Sequence, residues 1–180
     1  AAELIFKSYY HSYFKDKAKS NVRIISVRAG NVIGGGDWAD YRIVPDCSKA
    51  WAKNESVEIR SPDATRPWQH VLEPLSGYLT CAEQLYSNIK LTGESFNFGP
   101  KSDYTKSVKD LIKDLSLHWN LKNAPYFIPD SISEFHEAGL LKLNIDKAYF
   151  YLKWQPTLEY DKLIEFTGKW YNNYYNSKID

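Results

Sequence analysis

VRAGNVIGGGDW, residues Val27 to Trp38, is the stretch on which the reading of this chain turns. The run ahead of it, Val22 to Val27, is rich in β-branched residues and predicts a buried strand. At Arg28, Ala29, Gly30 and Asn31 the residues become small and polar, where a strand would open into a loop. Gly34, Gly35 and Gly36 follow, then Asp37 and Trp38. Open α/β sheets place ligands in the crevice beyond the carboxyl ends of their strands. Glycines let a backbone approach a ligand closely or take positive φ. The same residues also read as a flexible turn behind a core strand, and a glycine cluster by itself does not choose between the two.

Around this stretch the chain alternates helical and strand-like segments. One helical face is predicted over residues 2–14, from Ala2, Ile5, Phe6, Tyr9 and Tyr13, followed by a polar connector over 15–21. Arg42 to Asp46 leads into a helix through Trp51, with Pro45 in its first turn. Val57 to Arg60 alternates as a short strand, and Ser61 to Gln69 is turn-like, broken by Pro62, Asp63 and Pro67. A helix is predicted over 70–86 with Val71, Leu75, Tyr78, Leu79, Ala82, Leu85 and Tyr86 on one face. Phe96 to Phe98 reads as a strand. The next helix, over 107–119, carries Val108, Leu111, Ile112, Leu115 and Trp119 on one face, capped by Ser107 or Thr105. Residues 121–134 look irregular. Leu141 to Ile145 reads as a strand and 146–152 as a helix. A last helix over 160–174 buries Leu163, Ile164, Trp170 and Tyr174. Alternation of this kind predicts an α/β fold.

Composition narrows the function. A 43% hydrophobic content over 180 residues is enough for a core, and a formal charge of +1 lacks the basic face that nonspecific nucleic-acid binding needs. No apolar run is long enough to span a membrane. Cys47 and Cys81 lack the spaced partners of a zinc site and read as reduced thiols. Asp37, Asp40, Asp46 and Asp63 match no calcium loop, so no metal is expected. The sequence contains no Met and opens in mid-helix, which is expected of a piece of a longer protein.

Three polar clusters are candidates for chemistry. Arg66 stands beside Trp68, Gln69 and His70, and an arginine there suits a phosphate, being always charged and offering a planar fork of donors. Arg66 also reads as a structural arginine paired with Asp63 or Glu73. Arg42 has the same two faces, phosphate ligand or solvated charge. His136 with Glu137 reads as a hydrogen-bonding pair or as two solvated loop residues.

Taken together, GNVIGGGDW (Gly30 to Trp38), RIVPD (Arg42 to Asp46), RPWQHVLEPLSGYL (Arg66 to Leu79), NFGP (Asn97 to Pro100) and HEA with LKLNIDKA (His136 to Ala148) resemble the CDP-glucose 4,6-dehydratases. These are sugar-nucleotide enzymes of the extended short-chain dehydrogenase/reductase type. The resemblance runs from Ala1 to Tyr171 and implies an α/β fold: a remnant of a Rossmann-like sheet plus a smaller substrate-binding α/β subdomain. It implies that residues 1–180 form the C-terminal, mainly substrate-binding half, with the NAD-binding part missing. In the family NAD takes a hydride from C4 of CDP-glucose, water leaves across C5 and C6, and the hydride returns to C6, a step toward deoxysugars of surface polysaccharide.

By the same resemblance Asn31 hydrogen-bonds the sugar diphosphate, Arg66 meets it, and Arg42 and His136 line the nucleotide pocket. The family's glycine fingerprint for NAD and its catalytic Tyr-x-x-x-Lys pair precede the helix that Ala1 to Glu3 continue. No catalytic residue is therefore assigned here, and an isolated chain is expected to be inactive. The chain departs from the family at Asp40-Tyr41, where an apolar residue and Asp are more usual, and at Lys153-Trp154, usually Gly-Trp. The resemblance implies a cytoplasmic, homodimeric parent. A related sugar-nucleotide epimerase or reductase, and a non-catalytic sugar-nucleotide-binding module, are the alternatives.

Overall fold

In the computed structural model, residues 1–16, 18–101, 105–119, 121, 124–129 and 141–177 are described. His136, Glu137 and the end of the 121–134 stretch lie outside them.

Two hydrophobic clusters organise the described residues. The larger packs α2 (Ile43–Ala52), α4 (Val108–His118) and α6 (Tyr160–Asn176) through Val44, Trp51, Leu111, Ile112, Leu115, Leu163, Ile164 and Tyr171. The smaller lies beneath β1 (Ser26–Ala29) and β6 (Ser95–Phe98), where Phe96 and Phe98 meet Cys81 of α3 (Leu72–Ser87) and Ala148 and Leu152 of α5 (Asp146–Leu152). The arrangement is mixed α/β, as expected, with small parallel sheets and helices packed against them.

Among the described residues, four strand pairs form. β1 runs parallel to β6, with Val27 opposite Phe96. β2 (Asn31–Ile33) runs parallel to β5 (Trp68–His70), with Asn31 opposite Trp68. β3 (Val57–Glu58) runs parallel to β8 (Tyr126–Phe127), and β4 (Thr65–Arg66) is antiparallel to β7 (Lys106–Ser107). Before them the chain opens with α1 (Ala2–Tyr9), which widens into a π-helical turn over Tyr10–Phe14.

Several expectations are corrected. The strand predicted from Val22 starts at Ser26 and runs through Arg28 and Ala29, pairing with β6, and Val27 is partly exposed rather than buried. The turn-like 61–69 stretch holds β4 and β5, because Pro67 sits between the strands and interrupts neither ladder. The α3 face reads differently too. Pro74, Gly77 and Cys81 are buried, whereas Leu75, Leu79 and Tyr86 are exposed. A Cβ on Gly77 would lie 2.2 Å from the Phe98 ring, so the helix approaches the sheet through its small residues. In α6, Tyr171 is buried and Trp170 and Tyr174 are half-exposed. Residues 141–145 form no strand; Leu143 packs on Gly99 instead.

The capped helix is as read. The Ser107 hydroxyl accepts from the Asp110 amide at 3.1 Å, and the Asp110 carboxylate accepts from the Ser107 amide, a closed capping box. Cys47 and Cys81 are both buried free thiols.

Tyr171 ties α6 to the glycine loop. Its hydroxyl donates to the Asp37 carbonyl at 2.7 Å and accepts from the Asp37 amide at 3.1 Å. Burial pushes the phenol up to about 12. The folded state holds that proton more tightly than the unfolded chain, whose tyrosines titrate near about 10. The stability it supplies is complete below that pH and falls as pH climbs toward 12. Thermal unfolding across this range should show the decline, and Tyr171→Phe should flatten its upper part. Cys81, raised by burial to about 11, and Cys47, raised further by burial, drive the same decline from a lower pH, so the variant makes the decline shallower without removing it.

Candidate functional site

Gly30 joins β1 to β2 at the carboxyl end of the parallel pair. A Cβ there would meet the Pro67 carbonyl at 2.9 Å, so only glycine lets the β1–β2 connection lie against the segment carrying Arg66. Asn31 follows immediately and is half-buried.

The glycine loop is not a free turn. A Cβ on Gly35 would lie 2.2 Å from the Trp170 indole, and Gly36 has φ of +81°. Trp38 packs edge-on to Tyr171 at 5.6 Å and against Tyr174 at 4.8 Å. Lys49 of α2 donates to the Trp38 carbonyl at 3.0 Å and to Asp40 at 2.7 Å. That hydrogen bond holds the Asp40 carboxyl below, and the Lys49 ammonium above, their ordinary values. The loop is thus clamped between α6 and α2 and delivers its last residues, Tyr41 and Arg42, to the start of α2.

The result is a cavity of about 760 Å³ lined by Asn31, Gly34, Asp37, Arg42, Ile43 and Arg66, among others. Three of the four predicted site residues meet here; the fourth, His136, lies outside the described residues. Arg66 is only 8% exposed and donates to the Thr65 carbonyl at 2.8 Å. One pairing considered for it goes elsewhere: the Glu73 carboxyl accepts from the amides of Thr157 and Leu158 and from the Thr157 hydroxyl. Arg42 is exposed, 3.8 Å from the Asp37 carboxylate, and is the N-cap of α2. A helix N-terminus offers amides without intrahelical partners and a partial positive charge. Two arginines, a helix N-terminus and an asparagine amide converge on one space, which is chemistry for an anion with several oxygens.

A second cavity of about 880 Å³ adjoins the first, sharing Asp40, Tyr41 and Ile43 with it. Its walls include Asp46, Val57, Glu58, Arg60, Val108 and Phe127. Burial raises the Asp46 carboxyl above its ordinary value, opposed by the charge of Lys49. The sequence offered little to find this space, because α2, β3, α4 and β8 build it only after packing. His70 stands at the loop's other side, where its Nδ1 accepts from the Leu72 amide at 3.3 Å and burial holds the imidazole below its ordinary value.

Among the described residues no cluster of His, Cys, Asp and Glu is arranged to hold a metal, and no helix is long and apolar enough to cross a membrane. The glycines also fail as a dinucleotide fingerprint. They do not open directly into a helix, since α2 begins at Ile43, and Gly35 is filled by Trp170 rather than left open for a pyrophosphate.

No protein-family model matches the chain. Its sequence is 39% identical over 172 residues to the CDP-glucose 4,6-dehydratase of Salmonella typhimurium, covering 94% of this chain and 47% of that enzyme. The resemblance read from the motifs is therefore borne out, and the chain spans about half the length of the relative it matches. Solved structures share the fold, two sugar-nucleotide enzymes among them. The dTDP-glucose 4,6-dehydratase of Bacillus anthracis, crystallised with NAD, superposes with a TM-score of 0.76 at 16% identity, over 96% of this chain and 50% of that one. The UDP-glucuronic acid 4-epimerase of Bacillus cereus, crystallised with UDP-glucuronic acid and NAD, gives 0.78 at 18% identity, again over 96% and 50%. The fold is thus shared with these dehydratase and epimerase structures, over about half of each of those chains.

Proposed function

We propose that this chain, similar to half of a CDP-glucose 4,6-dehydratase, is the nucleotide-sugar-binding part of such an enzyme. The observation that carries the reading is the convergence of Arg66, Arg42, Asn31 and the α2 N-terminus on one cavity. In this reading the diphosphate lies between the two arginines and the helix end. The nucleoside enters the adjoining cavity of about 880 Å³. The glucose lies toward Asn31, at the carboxyl end of the parallel strands.

The parent converts CDP-glucose to its 4-keto-6-deoxy product with loss of water. NAD, held in the part of the parent outside this chain, supplies the hydride acceptor. Residues of this chain bind and orient the substrate and leave proton transfer to the other part. Among the described residues β1 pairs on one side alone, and this edge with the exposed Leu75 and Leu79 of α3 supports a further α/β layer packing there. A cytoplasmic homodimer and a place in deoxysugar synthesis belong to the same proposal.

Calorimetric titration of the chain with CDP-glucose, UDP-glucose and NAD tests this. Expected is uptake of CDP-glucose in preference to UDP-glucose and none of NAD. Equal uptake of both sugars would favour an epimerase-type parent, and uptake of neither would overturn the binding role.

A further inference from the structure

We infer that Tyr41 is the stacking platform for the nucleobase, a role that rests on the placement of the diphosphate given above. Tyr41 has φ of +63°, in the left-handed region that a bulky side chain rarely adopts. Such strain persists only where the surroundings fix it, and it concentrates at ligand sites. Here the fixing groups are visible. Lys49 pins Trp38 and Asp40 immediately before Tyr41, and Arg42 immediately after it starts α2.

The strain is not compensated by burial. Tyr41 is 84% exposed, so its ring gains little from burial there. What the conformation does is set an open aromatic ring on the border shared by the two cavities. Arg60, on the wall of the larger cavity, places its guanidinium 5.6 Å from the ring centroid. One side of the ring thus carries a planar cation and the rest is free. The next residue, Arg42, stands at the diphosphate. A planar heteroaromatic ring attached one sugar away from a diphosphate is the ligand this arrangement fits, and base–aromatic stacking tolerates any base.

The test compares CDP with inorganic pyrophosphate, which lacks the base, on wild-type, Tyr41→Ala and Tyr41→Phe chains. Tyr41→Ala should weaken CDP binding by about 10-fold while pyrophosphate affinity stays within about 2-fold. Tyr41→Phe should keep the wild-type preference for CDP. Thermal melting of Tyr41→Ala should be no lower than wild type, which separates a binding loss from unfolding. The inference is overturned if Tyr41→Ala leaves CDP binding within about 2-fold of wild type, or weakens pyrophosphate as much as CDP. If wild type binds neither compound, the diphosphate site itself is wrong. If wild type binds pyrophosphate but gains nothing from the base, that site stands and the stacking role fails.

Discussion

Replacing Arg66 with alanine is expected to weaken CDP-glucose binding by about 100-fold, because a buried cation facing a diphosphate contributes on the order of 3 kcal/mol. The side chain is almost fully enclosed, so its charge acts on the ligand with little screening by water. Arg66→Lys keeps the charge but loses the planar fork, and it should recover only part of the affinity. Arg42 offers the internal comparison. It is exposed and already faces Asp37 at 3.8 Å, so Arg42→Ala should cost less and depend more strongly on salt. The measurement is calorimetry at two ionic strengths, with far-ultraviolet circular dichroism to show that each variant is folded. Equal, small losses at both arginines would mean that the anion sits elsewhere.

Glu73→Ala should destabilise the fold by about 3 kcal/mol, the cost of leaving several buried donors without an acceptor. Glu73 is 2% exposed, in the first turn of α3. Its carboxyl accepts from the Leu158 amide at 2.6 Å, the Thr157 amide at 3.1 Å and the Thr157 hydroxyl at 3.0 Å. It therefore fastens α3 to the segment leading into α6, the helix that holds the glycine loop. Glu73→Gln keeps one acceptor oxygen and should cost roughly half as much. Urea unfolding reads both, as a lower midpoint at unchanged slope. A loss below about 1 kcal/mol for the alanine variant would show that water replaces the carboxyl at the Thr157 and Leu158 donors. Because α6 anchors the loop through Trp170 and Tyr171, the same variant should weaken CDP-glucose binding at temperatures where it remains folded.

Much of the architecture was legible wherever the deciding forces are local. α4 was readable from its apolar spacing and from Ser107 and Asp110, which close a box within one turn. α2, α5 and α6 were likewise visible as helices. Faces were less legible. The leucines of α3 looked like its buried stripe, yet the helix meets the sheet through Pro74, Gly77 and Cys81, because Phe98 stands where only a residue without a Cβ fits. Trp170 looked like core, yet it covers the glycine loop, and Tyr171 beside it is the buried residue.

The sequence by itself determined the alternation of helices and strands and the cap of α4, and its resemblance named Asn31, Arg42 and Arg66 as candidates. Tertiary structure alone decided that the glycine loop is clamped rather than loose. It also decided that a second cavity adjoins the first and that Tyr41 stands exposed between them in a left-handed turn. The physical reason is range. Propensity, capping and periodicity act over a few residues of backbone. A site made from the end of one strand, the start of a helix and a buried arginine exists only after packing of distant segments has fixed their distances.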